Sequence, residues 1–275
     1  MKYLNILLIS TLSFSSCKKD EFNISNLNGN KIGVLGHGGM GISSTYPMNS
    51  VESILNCMHL NSDGTEIDVQ MTNDGVLVAF HDETLDGLTN GSGILHELNW
   101  NEVNGLYYNS PVMNGYKVAS LETIFQALST SGKIDGKRFA LDCKTFESSI
   151  SLENIDVYCK NIYQFIDDFD LVDNVVLEIA NEVLIDKIHA ERPDLGIFVF
   201  ETVENAIEKA ITNQLEGVVF SIDKITQEEI IYAHANNVMV TLFNTQSNQR
   251  NIDAIEMNPD FIETDRLELL ISVLK

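Results

Sequence analysis

"GTEIDVQMTNDGVLVAFHDETL", Gly64 to Leu85, decides how the rest of the chain is read. Ile67 and Val69 alternate with Glu66, Asp68 and Gln70, the pattern of a strand with one apolar face. Successive strand residues point to opposite sides, so Glu66 and Asp68 share a face. Two carboxylates on one face repel, and burying either is costly. A second extended run, "VLVAF", then delivers His81 and Asp82. The stretch therefore aims two acids and a histidine at one place, and the rest of the chain has to supply the reason.

On either side, strand and helix patterns alternate. Apolar runs read as strands in "KIGVLG", "TEIDVQ", "RFALDCK", "NVVLEIA", "GIFVFE", "GVVFSI", "VMVTLF" and "DFIETD". Helical periodicity falls between them, as in "NSVESILNCMHL", where Val51, Ile54, Leu55 and Met58 line one face. Eight such units over residues 31–275 predict a single-domain (β/α)8 barrel, for which ~250 residues is typical. A doubly wound open sheet is the competing architecture.

The chain has 275 residues, 44% of them hydrophobic, and a formal net charge of −23. That charge excludes nucleic acid as an expected partner and disfavours docking on anionic lipid by charge alone. It suits divalent cations. Residues 1–16 read as a secretory signal whose apolar run is shorter than the ~18 residues a bilayer span would need. "FSSC" is similar to a bacterial lipobox, which makes Cys17 the expected acylated residue and 17–30 a polar tether. The expected location is the cell envelope, anchored by lipid at the outer membrane or surface. Cys57, Cys143 and Cys159 show no metal-ligand spacing and read as small buried hydrophobes.

In a barrel of this kind, chemistry sits at the C-terminal ends of the strands. His37 ends the first strand, Glu66 and Asp68 lie late in the second, and His81 closes the extra segment after it. Asp142 and Lys144 close the third strand, Asn244 the seventh, and Asp265 and Arg266 the eighth. Asp265 and Arg266 read as a helix cap and an exposed charge.

"LGHGG", "YPMNSVESI", "DGTEIDVQMTNDGVLVAFHDETLDGLTNGSG", "ASLETIF", "FALDCK" and "DFIETDR" together resemble the glycerophosphodiester phosphodiesterase family, in order and over nearly all of the chain after the tether. The resemblance implies a barrel that uses Ca²⁺ or Mg²⁺ to cleave glycerol phosphodiesters into an alcohol and glycerol phosphate. It implies Glu66, Asp68 and Asp142 as metal ligands, with Asp142 standing where the family has Glu. His37 and His81 become the acid/base pair, and Lys144 and Asn244 substrate-binding residues. A hard cation takes carboxylate oxygens and would remove the repulsion between Glu66 and Asp68. The attacking group is either a neighbouring glycerol hydroxyl or water.

The family's His-Arg-Gly is here His37-Gly38-Gly39, and its Pro-Glu-Asn is Pro47-Met48-Asn49; "VTLFN" lacks the usual Trp. One positive and one negative group are lost together. The expectation is a weaker grip on a plain glycerophosphodiester, with space at Gly38 and Gly39 for a bulkier substrate. Two further readings follow: a phospholipase-like relative acting on a lipid phosphodiester, and a ligand-binding lipoprotein whose catalysis has decayed.

Overall fold

The computed structural model describes residues 22–109, 115–146, 151–200 and 203–274. Cys17 and the signal-like segment lie outside the described residues. Eight parallel strands form a closed ring in the order β1 (Gly33–Gly36), β2 (Gly64–Met71), β5 (Arg138–Cys143), β6 (Val175–Ile179), β7 (Gly196–Val199), β8 (Gly217–Ser221), β9 (Met239–Thr245) and β10 (Phe261–Thr264). The pairing of β1 with β10 shuts it, Gly36 lying beside Thr264. The architecture is a (β/α)8 barrel in one domain.

Helices α1 (Val51–His59), α3 (Leu121–Thr130), α4 (Leu152–Asp168), α5 (Glu182–Glu191), α6 (Val203–Asn213), α7 (Gln227–Ala235), α8 (Asn248–Glu256) and α9 (Leu267–Leu274) wrap the ring. Their starts carry the residues that accept from free N–H groups at a helix N-terminus: Ser50 from Ser53, Ser120 from Thr123, Asn181 from Leu184 and Ser247 from Arg250. Outward-facing Val34, Ile67, Val69, Leu141, Leu177, Ile197, Val240 and Ile262 meet the helices in the main core. Inward-facing Leu35, Ala140, Val176, Phe198, Val219 and Phe261 form the floor of the barrel. Arg138 closes that floor, its guanidinium 4.5 Å from the Phe261 ring centre and 2.7 Å from Glu216.

The extra extended segment after β2 is β3 (Leu77–Ala79), antiparallel to β2, and β4 (Ala119–Ser120) adds to its other edge. With the short helix α2 (Trp100–Val103) this excursion has its own small core of Val78, Phe80, Leu85, Leu95, Val103 and Tyr108. Cys57, Cys143 and Cys159 are free and buried, as read. The sequence ends the tether at residue 30, yet Leu27 and Asn28 already donate backbone N–H bonds to buried Asp260 at 2.7 and 2.9 Å. No helix among the described residues is long and apolar enough to cross a membrane.

Candidate active site

The period-two pattern of β2 has its predicted outcome. Glu66, Asp68 and Gln70 face the barrel interior and are buried, while Ile67 and Val69 face the helices. Asp142 lies beside Asp68 in register on β5. One carboxylate oxygen from each of Glu66, Asp68 and Asp142 falls within 4.8 Å of the others. Gln70 fixes the other part of the stretch: its amide donates to the carbonyls of Phe80 and Asp82, both at 2.7 Å, bracketing His81.

The loop after β1 is tight, because a Cβ at Gly36 would lie 1.8 Å from the Gly39 carbonyl oxygen. It presents His37, whose Nδ1 is 2.9 Å from Asp265 Oδ1. A carboxylate only accepts, so Nδ1 carries the proton and Nε2 is the atom left to exchange one. Asp265 is buried and also accepts from the Ile42 backbone at 3.0 Å. This corrects its reading as a helix cap: ring closure brings it beneath His37. Arg266 does lie outward, donating to the Gln246 carbonyl. His81 Nδ1 is 2.7 Å from Asp82 Oδ1, and this pair is about half exposed.

Each acid is held differently. Glu66 Oε2 accepts from Gly38 N–H at 2.8 Å, and its buried Oε1 has no partner. Burial, then the charge of Asp68, pushes its carboxyl well above the usual range. Asp68 is gripped twice by Asn49, which donates to its Oδ2 at 2.6 Å and accepts from its backbone N–H at 3.1 Å. Burial alone would raise Asp68, but Lys144, His81 and Asn49 hold it below its ordinary value. Lys144 Nζ bridges Asp68 Oδ1 at 2.9 Å and Asp142 Oδ2 at 2.5 Å. For His37, burial pulls downward, yet the Asp265 hydrogen bond and the charges of Glu66, Asp265 and Asp68 lift it to about 9.

The donor set fits a hard divalent cation. All three ligands are carboxylate oxygens, and the unpartnered Glu66 Oε1 is a buried acceptor of the kind that costs stability until something binds it. Asn244 stands apart from this cluster. Its side-chain amide donates to Asp223 at 2.9 Å and to Ser221 at 3.3 Å, and its backbone carbonyl accepts from Arg250. Asp223 is itself paired with Arg250, so the Asn244 amide is engaged there and not on the clustered acids. Asn49, given no role by the sequence reading, does reach them.

Gly38 and Met48 turn out to be one feature. A Cβ at Gly38 would lie 2.6 to 3.0 Å from Met48 side-chain atoms, so the expected space is already filled by Met48. Gly38 also has φ +53°, a backbone that other residues adopt at a cost of ~1–3 kcal/mol. Gly38→Arg should therefore lower stability by about 2 kcal/mol in urea denaturation and disturb the Glu66 bond.

Two more acids face the barrel interior and were given no role in the sequence reading: Glu178 on β6 and Glu263 on β10, both buried, each with an unpartnered Oε1. Burial lifts Glu178 to about 7, partly offset by a hydrogen bond from Glu263, while burial and Glu178 push Glu263 well above its ordinary value. A folded value above the unfolded one means that the native state holds more protons, so stability is present below about 4.5 and lost as pH rises through about 7. Glu178→Gln should flatten this fall, worth about 3 kcal/mol, and raise the melting temperature at pH 8 by several degrees. Unchanged melting curves between pH 5 and 8 in parent and variant would refute the raised Glu178 carboxyl.

The sequence model of the glycerophosphoryl diester phosphodiesterase family matches residues 40–269. The chain belongs to this family. Among curated relatives, a glycerophosphodiester phosphodiesterase of Caldanaerobacter subterraneus is 35% identical over 97 residues, covering 34% of this chain and 39% of that protein. One from Bacillus altitudinis is 36% identical over 63 residues, covering 23% of this chain and 26% of the relative. These alignments thus span less than two fifths of those relatives. Solved structures agree in fold over more of the chain. A glycerophosphodiester phosphodiesterase from Parabacteroides distasonis superposes with a TM-score of 0.76 at 18% identity, covering 89% of this chain and 98% of that one. An Oleispira antarctica phosphodiesterase, solved with the product sn-glycerol-3-phosphate, gives a TM-score of 0.74 at 16% identity over 87% and 95% of the two chains.

Proposed function

We propose that this glycerophosphoryl diester phosphodiesterase family member hydrolyses glycerophosphodiesters to an alcohol and glycerol phosphate. The observation that carries the reading is the Glu66–Asp68–Asp142 cluster at the barrel mouth, with His37 and His81 beside it on one cavity. Glu66, Asp68 and Asp142 would hold Ca²⁺ or Mg²⁺, which when bound supplies positive charge against a phosphoryl oxygen and against the charge that builds in transfer. In the net reaction one P–O bond forms to the oxygen of water and the P–O bond to one alcohol breaks. One proton of the water ends on that alcohol and the other on the phosphate.

His37 is held protonated at neutral pH by Asp265, so it is the donor to the leaving oxygen; His81, open to the cavity, is the acceptor. Lys144, already among the acids, offsets phosphate charge. Asn244, its amide on Asp223 near the end of β9, is the other substrate-binding residue of this reading. The proposal includes an envelope location through acylated Cys17, which mass spectrometry of the mature N-terminus tests. The activity is tested by release of glycerol phosphate from glycerophosphocholine and glycerophosphoethanolamine, with Ca²⁺, with Mg²⁺ and with chelator. Turnover that requires the cation supports the reading; none under any condition sinks it.

A further inference from the structure

The chain enters the barrel from its floor and is fastened there. Buried Asp260, one residue before β10, accepts the backbone N–H groups of Leu27 and Asn28 on Oδ1. Its Oδ2 accepts from Val240, near the start of β9, at 2.7 Å. The Asn26 amide donates to the Pro259 carbonyl at 2.6 Å. Ser25 donates its backbone N–H to Asn258 Oδ1 at 2.8 Å, and the Asn258 amide donates to the Asn23 carbonyl at 3.1 Å. Phe22 and Ile24 pack on the main core. Much of the stretch that reads as tether is thus bound to the floor, from Asn23 onward, and what is left before it is short.

The catalytic mouth is at the other end. Trp100 in α2 donates its backbone N–H at 2.8 Å to Asp74, in the turn past the end of β2, so the β3–β4 excursion continues beyond the strand ends. Helix α4, returning from mouth to floor, has 17 residues and is about 25 Å long. Cys17 lies six residues before Asn23, at most about 22 Å away along a fully extended chain. A tether of that reach, starting at the floor, ends short of the excursion in any direction it takes. Ile42 and Leu88 are 61% and 42% exposed at the mouth and would favour the reverse orientation, with the mouth on lipid. The short tether forbids it. The net charge of −23 keeps the flanks off anionic lipid as well.

We infer that the acylated chain stands on its bilayer floor down, with the catalytic mouth turned to the water, so that it meets phosphodiesters from solution and not those of the lipid that anchors it. The inference rests on the acylation of Cys17 and adds the orientation that follows from it.

The test is energy transfer from a dye on the protein to acceptor-labelled headgroups in phosphatidylcholine vesicles. Cys57, Cys143 and Cys159 are buried, so an exposed introduced cysteine takes the dye. Asp135→Cys puts it on the floor, between α3 and β5, and Asn101→Cys puts it on α2 in the excursion; both positions are exposed. With the acylated full chain in the vesicles, transfer should be several-fold more efficient from position 135 than from position 101. Inserting 30 Gly/Ser residues between Lys19 and Asp20 should remove most of that difference, because such a linker spans roughly 30 Å on average and stretches much further. Equal transfer from the two positions, stronger transfer from position 101, or a difference unchanged by the longer linker overturns the inference and leaves the phosphodiesterase reading standing. An unmodified Cys17 in the mature chain, seen by mass spectrometry, overturns the anchor and the orientation together. The vesicle-bound chain should also turn over glycerophosphocholine in solution while releasing no headgroup from the phosphatidylcholine beneath it. Headgroup release at a matching rate overturns the inference. No turnover of either refutes the phosphodiesterase reading, and energy transfer then judges the orientation.

Discussion

His37→Ala and His81→Ala are each expected to lower kcat by about 10²–10⁴-fold while leaving the response to Ca²⁺ or Mg²⁺ in thermal unfolding intact. The combination separates proton transfer from cation binding, because neither ring is among the clustered carboxylates. A variant that keeps near-parent turnover removes that histidine from the chemistry. Asp265→Asn refines the test. Asp265 touches His37 rather than the cavity, so it is a positioning residue. An amide there keeps the shape but removes the negative charge that helps to lift His37 to about 9. Losing an anionic partner lowers the value, so the limb of the pH–rate profile carried by His37 should move to lower pH. A uniform loss of rate with an unmoved limb would mean that Asp265 serves packing alone.

The reach of the sequence reading has a physical boundary. Each of the eight barrel strands was legible because it is a short apolar run between turn residues, and Glu66 and Asp68 were legible because strand alternation is local. What was not legible depends on closure of the ring. Thr264-Asp265-Arg266 before a helix has the local look of a cap; only the β1–β10 pairing puts Asp265 under His37, 228 positions away in the chain. Asn49 and Asp68 meet across a loop of no fixed pattern. Glu178 and Glu263 were visible as acids inside apolar strands, a signal that could have marked them as inward-facing, but their meeting needs the barrel. Gly38 and Met48 were seen as two separate departures whose charges cancel, whereas in the fold one side chain fills the place the other leaves. Asn244 lies near the end of β9, where its motif position implied, with its amide on Asp223, which is itself paired with Arg250.

The cation site itself is open to a test that does not depend on turnover. A ligand that binds only the native state at 100 times its Kd adds about 2.7 kcal/mol. In a domain of this size each 1 kcal/mol is about 2–4 °C, so saturating Ca²⁺ or Mg²⁺ should raise the melting temperature by roughly 5–10 °C. Glu66→Gln should abolish that rise and with it hydrolysis, the fold remaining intact. Without cation the order should reverse. The Glu66 carboxyl is pushed well above its ordinary value by burial and by Asp68, so its ionisation costs the native state stability as pH rises past about 4.5. A neutral amide escapes that cost, and Glu66→Gln in chelator at pH 8 should melt at or above the parent. Asp68→Asn should behave oppositely. Lys144 and Asn49 hold that carboxyl below its ordinary value, so its charge stabilises the native state at neutral pH and the benefit is lost only on acidification. Its removal should lower the melting temperature with or without cation. The crossing of Glu66→Gln with the parent as cation is added, and the absence of a crossing for Asp68→Asn, distinguishes a site built to take a cation from a group of acids that the fold merely tolerates. Parallel melting curves for parent and Glu66→Gln at every cation concentration would overturn the assignment.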